Sequence, residues 1–189
     1  MYKVPAILLL SIFLVSCQTS LSEKETKLYL EKGLSISKST GKELSETLSN
    51  KMKSGGVVEA LEFCNAAALP LTKQMSDEHE VFIKRTSLKT RNPSNRPTEN
   101  EILILKEYQV NLDQGGVLEP KVVLDQNGIP NYYAPIILEQ KCLKCHGTLN
   151  KELSKSTDSI IKSYYQDDMA TGYSEGDLRG IWSISFTKS

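Results

Sequence analysis

The chain has no excess of charge of either sign, with 23 basic against 23 acidic residues. It shows no basic stripe of the kind that tracks nucleic acid, and no acidic block that would read as a solvated tail. Long hydrophobic runs are missing as well. The longest, Val4 to Val15, is too short for an ordinary transmembrane helix. No internal repeat is present, so solenoid architectures are excluded. Histidine is scarce, limited to His79 and His146, and cysteine is limited to Cys17, Cys64, Cys142 and Cys145.

Those few cysteines and histidines are arranged informatively. Cys142-Leu143-Lys144-Cys145-His146 is the spacing by which two thiols add to haem vinyl groups while the histidine takes an axial position on iron. A zinc site or a disulfide would use the same thiols. Zinc would need a fourth ligand from the remaining cysteine or histidine.

The compartment favours covalently bound haem c, one group per chain. Lys3, the apolar run and Leu14-Val15-Ser16-Cys17 read as a lipoprotein signal over residues 1–16, with Cys17 lipidated after cleavage. An ordinary signal peptide is the alternative. Gln18 after the cysteine leans toward the outer membrane, with the domain facing the periplasm. Loss of Lys3 with the signal leaves one net negative charge. With Cys17 on lipid and Cys142 and Cys145 on haem, Cys64 is left over, a candidate reactive or ligating thiol.

Residues 17–26 are expected to be a polar tether, and 27–189 one domain. Apolar spacing predicts helices over 27–53, with a possible break at Gly41, and over 57–76, separated by Ser54-Gly55-Gly56. In the first, Leu30, Leu34, Leu44, Leu48 and Met52 form the stripe. The second buries Cys64 mid-face, where a small core hydrophobe is the bland reading, and Pro70 is expected to kink it. A strand over 81–88, a rigid Arg91–Pro97 loop and a helix over 98–111 follow. Two strands flank the Asp125–Gly128 turn. Pro135 is expected to open a helix carrying Cys142, Cys145 and His146 on one face. A short helix near 158–166 and a strand over 181–186 complete an α+β domain.

Several segments together, Arg85-Thr86-Ser87-Leu88-Lys89, Arg91-Asn92-Pro93, Cys142–Gly147 and Ala170–Gly180, resemble a family of exported c-type haem domains of poorly defined function. The resemblance spans roughly residues 27–187. It implies a PAS-like small antiparallel sheet flanked by helices, with a long N-terminal helix. It also implies iron held between His146 and the Cys64 thiolate.

The competing sixth ligands are Met52, Met75, Met169 and His79, and the remaining alternative is no sixth ligand at all. Haem propionates call for cations, and Arg85, Lys89, Arg91 and Arg179 are the candidates, with Arg85 and Arg91 favoured. Tyr173 and Trp182 are candidates to touch the macrocycle.

The function expected from this reading is a membrane-anchored redox or diatomic-gas sensing module whose signal passes to another protein. The alternatives are a periplasmic electron carrier and a peroxidase-like enzyme. Against the enzyme stand the two histidines and the lack of a recognisable acid–base pair near the motif.

Overall fold

In the computed structural model, which describes residues 20–186, helix α1 runs Glu23–Ala66. Its start is written locally. Ser22 Oγ accepts from the Glu25 amide while the Glu25 carboxylate accepts from the Ser22 N–H at 2.9 Å, a capping box. The helix thus opens inside the stretch expected to be tether. The signal segment and Cys17 lie outside the described residues.

Gly41 does not interrupt α1. The break falls at Gly55 and Gly56, where Gly56 adopts φ 67°, ψ −153°, a region essentially reserved for glycine. The buried face is Gly33, Ile36, Ser37, Thr40 and Leu44, and Leu34 from the expected stripe is 40% exposed. Gly33 explains the rotation. A β-carbon there would fall on the ring of Tyr132, so the helix lies directly on the sheet at that point. Helix α2, Ala68–Glu78, places Pro70 in its first turn, where no amide donor is needed. The expected kink is therefore a restart at Ala67.

Four strands form one antiparallel sheet in the order β1-β4-β3-β2: β1 Phe82–Thr86, β2 Lys121–Leu124, β3 Pro130–Ile137 and β4 Leu178–Ser185. Strand alternation divides the sheet into two faces. Ile83, Tyr132, Ala134 and Ile184 pack with Ile36 of α1 and Met75 of α2. Tyr133, Leu178 and Ile181 pack on the other face with Ile104, Leu105 and Tyr108. Those three belong to α3, Glu99–Asp113, which a Thr98–Glu101 capping box opens.

The β2–β3 turn forms as expected. Asp125 Oδ1 accepts from the Asn127 and Ile129 amides, both at 2.8 Å. Pro135 corrects the sequence expectation: it lies within β3 opposite Ile181 and starts no helix. Proline is tolerated there because β2 pairs only as far as Tyr133, so β3 is an edge on that side beyond it.

The Cys142–His146 segment instead occupies a 3-10 turn, Gln140–Cys142, and the single-turn helix α4, Leu143–His146. Helix α5, Lys155–Tyr164, follows. The architecture is the expected α+β one, a small antiparallel sheet flanked by helices with a long helix at the N-terminus. Among the described residues no helix is long and apolar enough to cross a membrane.

Candidate haem site

One cavity of about 420 Å³ gathers the motif residues and most of the other predicted site residues, within the usual range for cofactor pockets. Cys142, Cys145 and His146 reach it from the turn and α4. Cys64 and Met52 reach it from opposite sides of the glycine break in α1, and Arg85 and Trp182 from adjacent strands. Leu44, Leu48, Leu61 and Phe63 supply apolar wall. Of the other ligand candidates, Met75 is packed in the core, Met169 is 52% exposed and His79 is exposed at the end of α2. Tyr173 borders a separate smaller pocket, with its ring edge-on to His146 at 6.4 Å.

His146 is held in one tautomer. Its Nδ1 lies 2.7 Å from the Ala170 carbonyl oxygen. A carbonyl can only accept, so the proton sits on Nδ1 and the Nε2 lone pair is left for a metal. Burial, then the nearby Arg91 and Arg179 charges, hold its pKa well below the ordinary histidine value. A neutral imidazole is the form that ligates.

The carbonyls of Cys145 and His146 at the end of α4, and of Gly147 at its cap, are satisfied from outside the helix. Arg91 Nη2 donates to Cys145 O at 2.7 Å, Tyr173 N to His146 O at 3.0 Å, and Gly172 N to Gly147 O at 2.9 Å. Gly147 is needed because a β-carbon would meet the Leu143 carbonyl at 2.6 Å. This short helix survives through these tertiary bonds, since one turn has little stability alone.

Cys64, Cys142 and Cys145 form no disulfide among the described residues. Burial, then the neighbouring Cys145, raises the Cys64 pKa, with Arg85 and Arg91 opposing. Burial likewise raises Cys145. Tyr165, on the same cavity, is pushed up to about 12, first by burial and then by Cys64. Among the described residues no group of three or more His, Cys, Asp or Glu side chains converges to hold a metal ion by itself.

The two arginines differ in partners. Arg91 borders the cavity, yet its Nε and Nη2 each reach an Asp168 carboxylate oxygen at 3.1 Å. Arg85 sits over the Trp182 ring at 5.7 Å and has no carboxylate partner among the described residues. Burial pulls its pKa below the usual arginine value, and Cys64 opposes that shift. A guanidinium in that state suits an incoming carboxylate. Arg179 donates to Lys89 O at 3.1 Å and lies 5.7 Å from the Tyr173 ring. Asp168 and the Ala170 carbonyl were not singled out from the sequence. A backbone carbonyl carries no sequence signal, and Asp168 pairs with a residue 77 positions away.

A family model described as Tll0287-like matches residues 18–187. The chain belongs to the Tll0287-like family. The crystal structure of the cyanobacterial haem protein Tll0287 is similar in fold to this Tll0287-like chain, with a TM-score of 0.58 at 22% identity. The match covers 89% of this chain and 98% of that one. A search of curated proteins returns no match.

Proposed function

We propose that this protein is a membrane-anchored c-type haem-binding module that responds to redox state or to a diatomic gas. The observation that carries the reading is the convergence of Cys142, Cys145, His146 and Cys64 on one apolar cavity with the guanidinium of Arg85, which has no carboxylate partner among the described residues. The residues fit the group: two thiols for the vinyl positions, a neutral imidazole with free Nε2, and a cation for a propionate. That Tll0287 is a haem protein supports the assignment.

In this reading Cys142 and Cys145 hold the haem covalently, His146 is the proximal ligand and Cys64 the distal one. Arg85 meets a propionate, while Arg91 braces the motif from the cavity edge. Haem would supply one-electron iron chemistry and, where a position opens, binding of a small gas. Cys64 is the element able to respond. It lies eight residues beyond Gly56, on a segment whose attachment to the long helix passes through two glycines. Release of Cys64 frees that segment to shift against a partner protein. Lipid on Cys17 would keep the domain at a membrane surface in the periplasm.

The test is expression in a bacterial host that carries c-type maturation machinery. Covalent haem in the intact mass, lost when Cys142 and Cys145 are both changed to Ser, supports the reading. Absence of haem from properly exported protein rejects it. Carbon monoxide binding after reduction supports the sensing role, and a closed coordination sphere in both redox states assigns an electron carrier. That second reading has one observation in its favour, the Met52 thioether on the same cavity. A Cys17→Ala protein should leave the membrane fraction if the anchor is lipid.

A further inference from the structure

Resting on the haem reading above, we infer that Arg91 and Asp168 are positioning residues for His146. They grip the backbone of Ala170, whose carbonyl orients the imidazole, and their opposite charges bias the iron in opposite directions. The backbone of Ala170 is held on both sides of its Cα. Its N–H donates to Asp168 Oδ1 at 2.9 Å, and its carbonyl accepts from His146 Nδ1 at 2.7 Å and from Arg91 Nη2 at 3.3 Å.

The pair closes on itself through two parallel 3.1 Å bonds, and Arg91 Nη2 also reaches Cys145 O at 2.7 Å. One guanidinium thus touches both the haem motif and the carbonyl that orients its histidine. The side chains are 10% and 3% exposed, so water does little to screen them. Only a planar, forked cation makes these contacts together. Thr90, next to Arg91, adds a backbone bond from the Met169 amide at 3.1 Å, which keeps the two segments in register.

The electrostatic consequence has a sign. Arg91 shares the Ala170 oxygen with His146 and draws density from it, which weakens the pull on Nδ1–H and makes the imidazole a poorer donor. Asp168 offsets that charge. Removing Arg91 alone should therefore favour ferric iron, and removing the Asp168 charge alone should favour ferrous iron. A purely structural pair would not separate the two variants by sign.

The experiment is a potentiometric titration of haem-loaded wild type, Arg91→Gln and Asp168→Asn. The expected change in the reduced-to-oxidised ratio at fixed potential is on the order of tenfold, a 59 mV shift for one electron. It should fall in Arg91→Gln and rise in Asp168→Asn. Equal potentials, or shifts of the same sign, overturn the inference.

Arg91→Lys keeps the charge without the fork. It should leave the potential near wild type while broadening the ferric resonance signal through spread in ring orientation, and it is the variant to read if Arg91→Gln fails to fold. A haem-free readout keeps the two proposals separable. Long-range proton–nitrogen NMR of protein made without maturation machinery should show one Nδ1–H tautomer of His146, with both tautomers exchanging in Asp168→Asn. A tautomer unchanged in that variant counts against the inference, whatever haem loading shows.

Discussion

His146 and Ala170 meet across 24 residues of chain, with the imidazole Nδ1 2.7 Å from the carbonyl oxygen. That bond, made by backbone on one side, leaves Nε2 as the only metal-binding nitrogen. Burial, then the Arg91 and Arg179 charges, hold the ring in its neutral form against the opposite pull of that bond. Below about pH 6.5 the unfolded chain protonates this histidine while the native state resists. The unfolded state then binds more protons, so haem-free protein should lose stability as pH falls through that value. Urea midpoints at pH 7.5 and 5.5 check this, and His146→Leu should remove the difference.

A second acid-sensitive element lies on the other side of the sheet. Lys84 Nζ donates to Glu101 Oε2 at 2.8 Å, with side chains 13% and 6% exposed. Burial raises the Glu101 pKa, but the bonds from Lys84, Thr98 and Ser183 outweigh it and the net shift is downward. A depressed carboxylate stabilises the fold above its unfolded value, about 4.3, and that contribution fades as pH falls through the folded value. This window lies below the one set by His146. Lys84→Met should cost roughly 3–5 kcal/mol at neutral pH, because it strands a buried carboxylate. Denaturant titration of that variant at pH 7 and pH 4 reads both effects.

Cys64 should be a sluggish nucleophile without haem. Its thiol is pushed up by burial, so less thiolate exists at a given pH than for an ordinary cysteine near about 8.5. With Cys17, Cys142 and Cys145 changed to Ser, iodoacetamide should label Cys64 more slowly than a free peptide thiol, at a rate still climbing above pH 9. Labelling as fast as the peptide would mean that the cavity is open to solvent around the sulfur. In the loaded protein, Cys64→Ala should abolish the small-anisotropy low-spin ferric signal that thiolate ligation produces.

Gly33→Ala tests the seat of α1 on the sheet. Alanine favours helix over glycine by about 0.5–1 kcal/mol, yet its β-carbon would collide with the Tyr132 ring, a fully buried side chain. Overpacking of this kind costs about 1–3 kcal/mol. A net destabilisation near 1 kcal/mol is expected in thermal or urea unfolding. A stabilised variant would show that the helix can lift off the ring at little cost.

Gly56→Ala tests the break that separates Met52 from Cys64. At φ 67°, ψ −153° an L-residue costs about 1–3 kcal/mol, so the variant should either unfold more easily or straighten the helix. Straightening would move Cys64 off the cavity, and the loaded protein would lose its thiolate spectrum while retaining covalent haem through Cys142 and Cys145.

Much of this was legible locally. The cap at Thr98, the Asp125–Gly128 turn and the stop at Gly55-Gly56 each depend on side chains or backbone freedom within a few residues. The spacing of Cys142, Cys145 and His146 marked them as one candidate site, and the structure brings all three to one cavity. Pro135 misled because proline is read as a helix opener when its neighbours are unknown. Its place in β3 depends on where β2 ends. Leu34 misled because the face of α1 is chosen by contact between Gly33 and Tyr132, 99 positions later in the chain.

The sequence by itself determined which groups are available to this site: the thiols of Cys64, Cys142 and Cys145, the imidazole of His146 and several guanidinium groups, with two of the thiols and the imidazole within five consecutive residues. The tertiary structure alone decided how they are placed. It brought Cys64 from α1 to the cavity wall beside α4, tied Arg91 to Asp168 and left Arg85 without a carboxylate partner among the described residues. The physical reason is range. Spacing and propensity act over a turn of helix, whereas ligand partners, burial and charge compensation are set by contacts between segments that meet only when the sheet and helices pack.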